Sequence, residues 1–310
     1  MHLPGSLVSS VDWRNLEDRW LCSLLCLDDG YSRLSLDPGS EFAFRVLDGR
    51  FCIGYTGLSS RGDGHLDAWR EHRPCPNGRD VERGVRCRDC SSVDAMQACL
   101  RCNGTACSAP PEVRRACEAS TAYVYLASFG DGRVKAGVSR GRRVLKRWVE
   151  QGADVALRVL VGDGMEVRRF ESRIQRELGA LSHVRSSTKV DPVRRQADVD
   201  AAVALLEAFR GKVHDLFPRQ SHFNEDPQVI IPLYRLPDFD KRPLRLRVRA
   251  GLEASGTVLG VKGPVLFMEM NGLPYSLQLN RVLGRRIETE GITPNSSQAG
   301  LDLFFGKRMR

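Results

Sequence analysis

The 310 residues carry 47 Lys and Arg against 38 Asp and Glu, a net charge of +9, and an apolar fraction of 42%. That fraction excludes gross disorder, and the length allows two or three domains with separate cores. The basic balance favours an anionic partner such as nucleic acid and says nothing about fold.

Only 7 of the 47 basic residues are Lys. Arginine suits bidentate phosphate contacts, but the bias also follows from a GC-rich genome, and the sequence leaves both readings open. The start, MHLPGSLVSSVDWRN, lacks a charged segment followed by an apolar run, so no secretory signal is expected. No uncharged apolar stretch approaches the ~20 residues of a membrane helix. A cytoplasmic protein without a membrane partner is therefore expected, in a compartment where thiols stay reduced and open to metals.

Residues 1–50 read as a β-rich segment, with RWLCSLLCL and EFAFRVL as strands. RFCIGY is a further strand, and Asp48-Gly49 before it is a hairpin-turn dipeptide. Cys22 and Cys26, four apart among apolar residues, read as core.

Residues 51–120 hold eight of the ten cysteines: Cys52, Cys75, Cys87, Cys90, Cys99, Cys102, Cys107 and Cys117. Cys87/Cys90 and Cys99/Cys102 are C-x-x-C pairs, the spacing with which two thiolates grip one Zn²⁺ from a tight knuckle. The surrounding REHRPCPNGRDVERGVRCRDCSS is mostly charge, Gly and Pro, and cannot bury a core of its own. Structural zinc supplies roughly 10–16 kcal/mol of apparent binding energy to such a segment. Eight thiols make two Cys₄ sites, and a sequential division gives Cys52, Cys75, Cys87 and Cys90 to one ion and the other four to a second. The rival is one ion held by the two C-x-x-C pairs. His65 and His72 lie in the same charged stretch and read as solvated.

From residue 121 the pattern is a compact α/β unit, expected to run to 218. Tyr123 to Ser128 is a strand, Gly130-Asp131-Gly132 a turn and Val134 to Val138 a second strand. RVLKRWVEQGA is a helix with Val144, Leu145, Trp148 and Val149 on one face and Gly152 as its C-cap. ALRVLV is a third strand, and DGMEVRRFESRIQRELG a second helix closed by Gly179. Glu171 falls on the apolar stripe of Val167, Ile174 and Leu178. A carboxylate there is costly unless it binds a metal or pairs with a neighbour such as Arg168 or Arg173. The run 133–147 holds seven positive residues and no acid: Arg133, Lys135, Arg140, Arg142, Arg143, Lys146 and Arg147. Such a run is expected to bind a phosphate backbone.

DVDAAVALLEAFRGKVHDLF is a long helix, after which residues 226–290 read as a small β domain with Asn271-Gly272 as its strongest hairpin signal, followed by a tail at 291–310. No phosphate loop of the G-x-x-x-x-G-K type and no G-x-G-x-x-G fingerprint occurs, so a nucleotide cofactor is not expected.

The run VYLA…VKAGVSR…RW…EQGA…R…E resembles the GIY-YIG nuclease core. It resembles more closely an uncharacterised bacterial and archaeal family that places a cysteine-rich region before such a core. The resemblance implies an α+β fold, with a three-stranded sheet and helices behind a zinc region and β-rich flanks. It further implies that Tyr123 and Tyr125 bind the attacking water, Arg147 the scissile phosphate and Glu171 a catalytic Mg²⁺ or Mn²⁺. Lys135 stands where the second motif has tyrosine. Two functions follow from these residues: a metal-dependent phosphodiesterase on DNA or RNA, or a non-catalytic zinc-containing RNA (tRNA) binding module. A biosynthetic enzyme reusing the pocket is a variant of the second.

Overall fold

The computed structural model describes residues 5–17, 19–59, 70–190, 199–240, 242–289 and 292. The expected tail beyond residue 292, and His65, lie outside them. The elements run β1 (Ser6–Leu16), β2 (Arg19–Leu27), β3 (Tyr31–Ser35), β4 (Glu41–Val46), β5 (Tyr55–Leu58), β6 (Arg70–Arg73), α1 (Arg88–Val93), α2 (Pro111–Glu118), β7 (Thr121–Ser128) and β8 (Val134–Arg140). There follow α3 (Val144–Gln151), β9 (Val155–Asp163), α4 (Gly164–Leu178), α5 (Val199–Leu216), β10 (Gln228–Val229), β11 (Leu244–Leu246), β12 (Glu253–Lys262), β13 (Val265–Met270), β14 (Leu273–Gln278) and β15 (Arg286–Glu288). The chain is a mixed α+β protein rich in strand, and it divides into two compact units. One comprises residues 1–54, 74–90 and 234–310, the other 55–73 and 91–233.

The first unit is a nine-stranded sheet in the order β11-β14-β13-β12-β4-β15-β1-β2-β3. It corrects the expectation of separate β segments at 1–50 and 226–290, because strands from both ends of the chain share it. The reason is the pairing of β4, whose neighbours are β12 on one side and β15 on the other. With both edges taken, β4 cannot form the hairpin expected at Asp48-Gly49. Gly49 does turn the chain, with φ +82°, but the chain then leaves the sheet, and Phe51 bridges to Asp80. The turn expected at Asn271-Gly272 joins β13 to β14, both residues left-handed with φ +52° and +71°. Cys22 and Cys26 are buried on β2 with Leu24.

The second unit holds a four-stranded sheet, β10-β9-β7-β8. The expected three strands are β7, β8 and β9, and the two-residue β10 adds a fourth on β9. Ala122, Val124 and Leu126 of β7 alternate onto one face. There they join Leu157 and Leu160, Val167 and Ile174 of α4, and Leu206 and Val213 of α5 in the core. Fully burying such side chains stabilises by about 1.5–3 kcal/mol each. The opposite face carries Tyr125 with Trp148 of α3 at 6.3 Å, edge to face, both buried. Gly152 and Gly179 take left-handed C-cap conformations after α3 and α4.

The cysteine-rich stretch 51–120 is not one domain. Cys52, Cys75, Cys87 and Cys90 belong to the first unit, and Cys99, Cys102, Cys107 and Cys117 to the second.

Candidate metal centre and cavity

In the first unit Cys52, Cys75, Cys87 and Cys90 converge, their sulfurs all within 4.8 Å of one another. Backbone pairing delivers them: Cys52 N donates to Arg79 O at 2.8 Å and Ile53 N to Val85 O at 2.9 Å. Cys52 Sγ accepts from Cys87 N at 3.2 Å and Gly54 N at 3.4 Å, and Cys87 Sγ accepts from Cys90 N at 3.5 Å. Such N–H···S bonds favour thiolates. Burial raises the Cys75 thiol, but backbone hydrogen bonds at Arg79 and Asn77 outweigh it and bring the group down to about 7. Burial raises Cys90, as do the neighbouring thiols. Four cysteine sulfurs gathered this closely could hold one structural Zn²⁺, whose charge would draw the protons off the thiols. Sequence order therefore gives this grouping, and Cys87 and Cys90 lie with Cys52 and Cys75.

In the second unit a cavity of about 630 Å³ wraps the edge of β8. β7 covers one side of that strand. On the other, among the described residues, only the segment at Leu181 pairs with it, through Ala136 N to Leu181 O at 3.1 Å and Leu181 N to Val134 O at 2.8 Å. The remainder of the edge, Gly137 to Arg140, stays open to the cavity. Side chains of α3 reach it from one face of the sheet and those of α4 from the other.

Four of the five residues expected to act together line this cavity: Tyr125, Lys135, Arg147 and Glu171. Tyr125 lies across Gly137, where an added Cβ would stand 2.3 Å from the tyrosine hydroxyl, so only glycine admits the ring. The Gln151 amide is 3.0 Å from that hydroxyl. Turned with its oxygen toward Arg147, it accepts from Arg147 Nε at 2.9 Å and Nη2 at 3.1 Å. Burial pushes the Tyr125 hydroxyl up to about 12, against the pull of Arg147, so it stays protonated at neutral pH. Lys135 is buried and its Nζ donates to Ser182 O. Burial and then Arg147 bring its ammonium down to about 8, while Glu171 opposes them.

Glu171 faces the cavity beside the core stripe of α4. Arg173 is engaged by Glu177 at 3.0 Å and Arg168 by Cys102 O at 3.2 Å; Glu171 accepts from Gln175 at 3.3 Å. Its pKa is raised by burial, with Arg168, Lys135 and Arg147 opposing. Among the described residues it is the only acid in the cavity wall.

Tyr123 is placed elsewhere. Its ring packs edge to face on Phe223 at 5.0 Å and lies under the Arg158 guanidinium at 4.9 Å, itself paired with Glu225 at 2.5 Å. The residues that follow the long helix bring Phe223 and Glu225 to β9, and they capture this tyrosine. The basic run is also less free than its sequence. Arg133 is held by Asp131 at 2.7 Å, and Glu150 takes Arg143 at 3.3 Å and Arg147 at 3.5 Å, because the turn and the helix supply acids from outside the run. Arg140, Arg143 and Arg147 line the cavity together with Arg168; Arg142 and Lys146 do not. Sequence reasoning passes over Gln151 and Gln175 and gives Arg168 only as an ion-pair neighbour of Glu171. Gln151 follows Arg147 by four and Gln175 follows Glu171 by four, the helical spacing that marks same-face neighbours.

Lys135 makes stability depend on pH. Its folded pKa of about 8 lies below the ordinary 10.5, so between these values the unfolded chain binds more protons. Its contribution is therefore fully present above the unfolded value and is lost as pH falls through about 8. Denaturant melts across this range should show stability rising with pH, and Lys135→Met should flatten the rise.

These features define a mixed α+β protein with a cluster of four cysteines able to hold a metal and a basic cavity on a small sheet. The model of the family described as "Protein of unknown function (DUF2797)" matches residues 40–283, and the chain belongs to that family. No curated protein and no solved structure matches it. Among the described residues no helix is long and apolar enough to cross a membrane.

Proposed function

We propose that this protein is a metal-dependent phosphodiester hydrolase acting on nucleic acid, with a core like that of the GIY-YIG nucleases. The observation that carries this reading is the set Tyr125, Lys135, Arg147 and Glu171 around one cavity with five further arginines. Arg140, Arg143, Arg147 and Arg168 bind the phosphates, where guanidinium forks match phosphate oxygens. Tyr125, protonated and fixed by Gln151, orients the attacking water. Lys135, with a lowered pKa, takes its proton, which makes it a better base at neutral pH than the buried tyrosine. One carboxylate suits Mg²⁺ or Mn²⁺ that keeps several waters, and Glu171 with the Gln175 amide beside it fits that demand. Such an ion supplies Lewis-acid stabilisation of the charge developing on the phosphoryl oxygens. The zinc of the first cysteine tetrad is structural and takes no part in the reaction.

The direct test is incubation of labelled DNA and RNA with Mg²⁺ or Mn²⁺ and, separately, with EDTA. Cleavage confined to the metal arm supports the reading, and none with any substrate overturns it. Binding should be strongly salt-dependent, with a log–log slope of roughly −0.7 to −0.9 per phosphate contact. Arg140→Ala with Arg143→Ala should make that slope shallower in a fluorescence-anisotropy titration.

One observation favours a second reading, a non-cleaving RNA-binding module such as one for tRNA. Lys135 stands at the tyrosine position of the resembled motif and its Nζ is held by Ser182 O. Tight binding without cleavage is the outcome that selects it.

A further inference from the structure

The wall of the cavity opposite the β8 edge is made by the other four cysteines' neighbourhood. Cys99, Cys102 and Cys117 line it, with Leu100, Arg101 and Asn103 between them. Cys99 is in electrostatic reach of Cys102 and Cys107, and Cys117 of Cys99 and Cys102. Two ligands separated by two residues, a third separated from the second by four and a fourth from a helix is a zinc-ligand spacing. The backbone that carries them is already fixed. Arg168 of α4 donates to Cys102 O at 3.2 Å. A Cβ on Gly104 would stand 2.4 Å from Met165 O, and one on Gly164 the same distance from Cys117 Sγ, so loop, α2 and α4 meet at glycine-only contacts. The four sulfurs are spread more widely than those of the Cys52 tetrad, the one set among the described residues within 4.8 Å. Closing a shell here needs the side chains to draw together on a backbone that is held in place.

We propose that Cys99, Cys102, Cys107 and Cys117 bind a second zinc ion, which fixes the 99–107 loop as a wall of the cavity. Beyond those backbone contacts the loop buries little side-chain surface: Leu100 is 71% exposed and none of the four cysteines is fully buried. Zinc thus does for this loop what an apolar core does elsewhere. The loop in turn decides the width of the cleft between Arg168 and the β8 edge. Only the expected effect on nucleic-acid binding rests on the function proposed above.

The test uses the full chain purified without chelator. Elemental analysis should find two zinc ions per chain, and one in the Cys99→Ser/Cys102→Ser variant. Refilling metal-free wild type with Co²⁺ should bring the thiolate absorption to a plateau at two equivalents, a readout that requires no variant to fold. Trypsin should cut after Arg101 faster in the double variant, and a single-stranded oligonucleotide should bind it on the order of tenfold more weakly, a usual size for coupling between sites. One zinc in the wild type, a cobalt plateau at one, or a Cys99–Cys102 disulfide in anaerobically purified protein overturns the site. Two ions with unchanged proteolysis and affinity in the variant overturn its role as a wall. Absence of cleavage touches only the hydrolase reading, since metal content and proteolysis are measured without substrate turnover.

Discussion

Glu171→Gln is expected to lower metal-dependent cleavage by roughly 10³-fold while leaving oligonucleotide affinity within about twofold, because it removes several kcal/mol of charge stabilisation exerted only as the reaction proceeds. The substitution keeps the volume and the neighbouring Gln175, so the fold of α4 should be untouched. Its acceptor oxygen also remains, which confines the change to the negative charge. Arg147→Ala makes the contrast: it removes a guanidinium that both lines the cavity and orients Gln151 against Tyr125, so affinity and turnover should fall together. Single-turnover cleavage and anisotropy on the same oligonucleotide separate the two. A Glu171→Gln protein that cleaves at the wild-type rate would remove the metal from the proposal.

Cys90→Ser is expected to cost far more in stability than Glu171→Gln or Arg147→Ala. Cys90 is buried in the tetrad with Cys52, Cys75 and Cys87, and a structural zinc contributes about 10–16 kcal/mol of apparent binding energy that this substitution largely forfeits. The segment between Pro74 and Cys90 contains the short start of α1 but no other helix or strand longer than a bridge, so it has nothing to fall back on. Hydrogen exchange read by mass spectrometry should show residues 74–90 losing protection, with zinc content reduced by one ion per chain. Exchange unchanged from wild type would mean that the segment is held by packing alone.

Much of the second unit is legible in the chain because its signals are local. The helices around Trp148 and Ile174 show a 3.6 period, Asp163 with Glu166 forms a capping box, and Gly152 and Gly179 close both helices. The misfit of Glu171 is visible too, since i, i+3 and i+4 spacing alone sets it on an apolar stripe. What could not be read are contacts made by distant segments. Tyr123 and Tyr125 alternate onto one strand face, yet Phe223 and Arg158 draw one of them away from the cavity. The first unit is harder still. Nothing in EFAFRVL reveals that its partners lie more than two hundred residues away in β12 and β15.

That pairing of β4 has a bearing on how the chain is made. Synthesis delivers β1 to β4 first, but β4 finds neither of its neighbours until Glu253 and then Arg286 have left the ribosome. The 91–233 segment is complete well before that and has its own core. Domains fold as units, usually from the N-terminus onward. Here the inserted unit is ready first, while β1, β2 and β3 pair among themselves and β4 and the outer edge of β1 wait for partners, leaving unpaired edges exposed on the nascent chain.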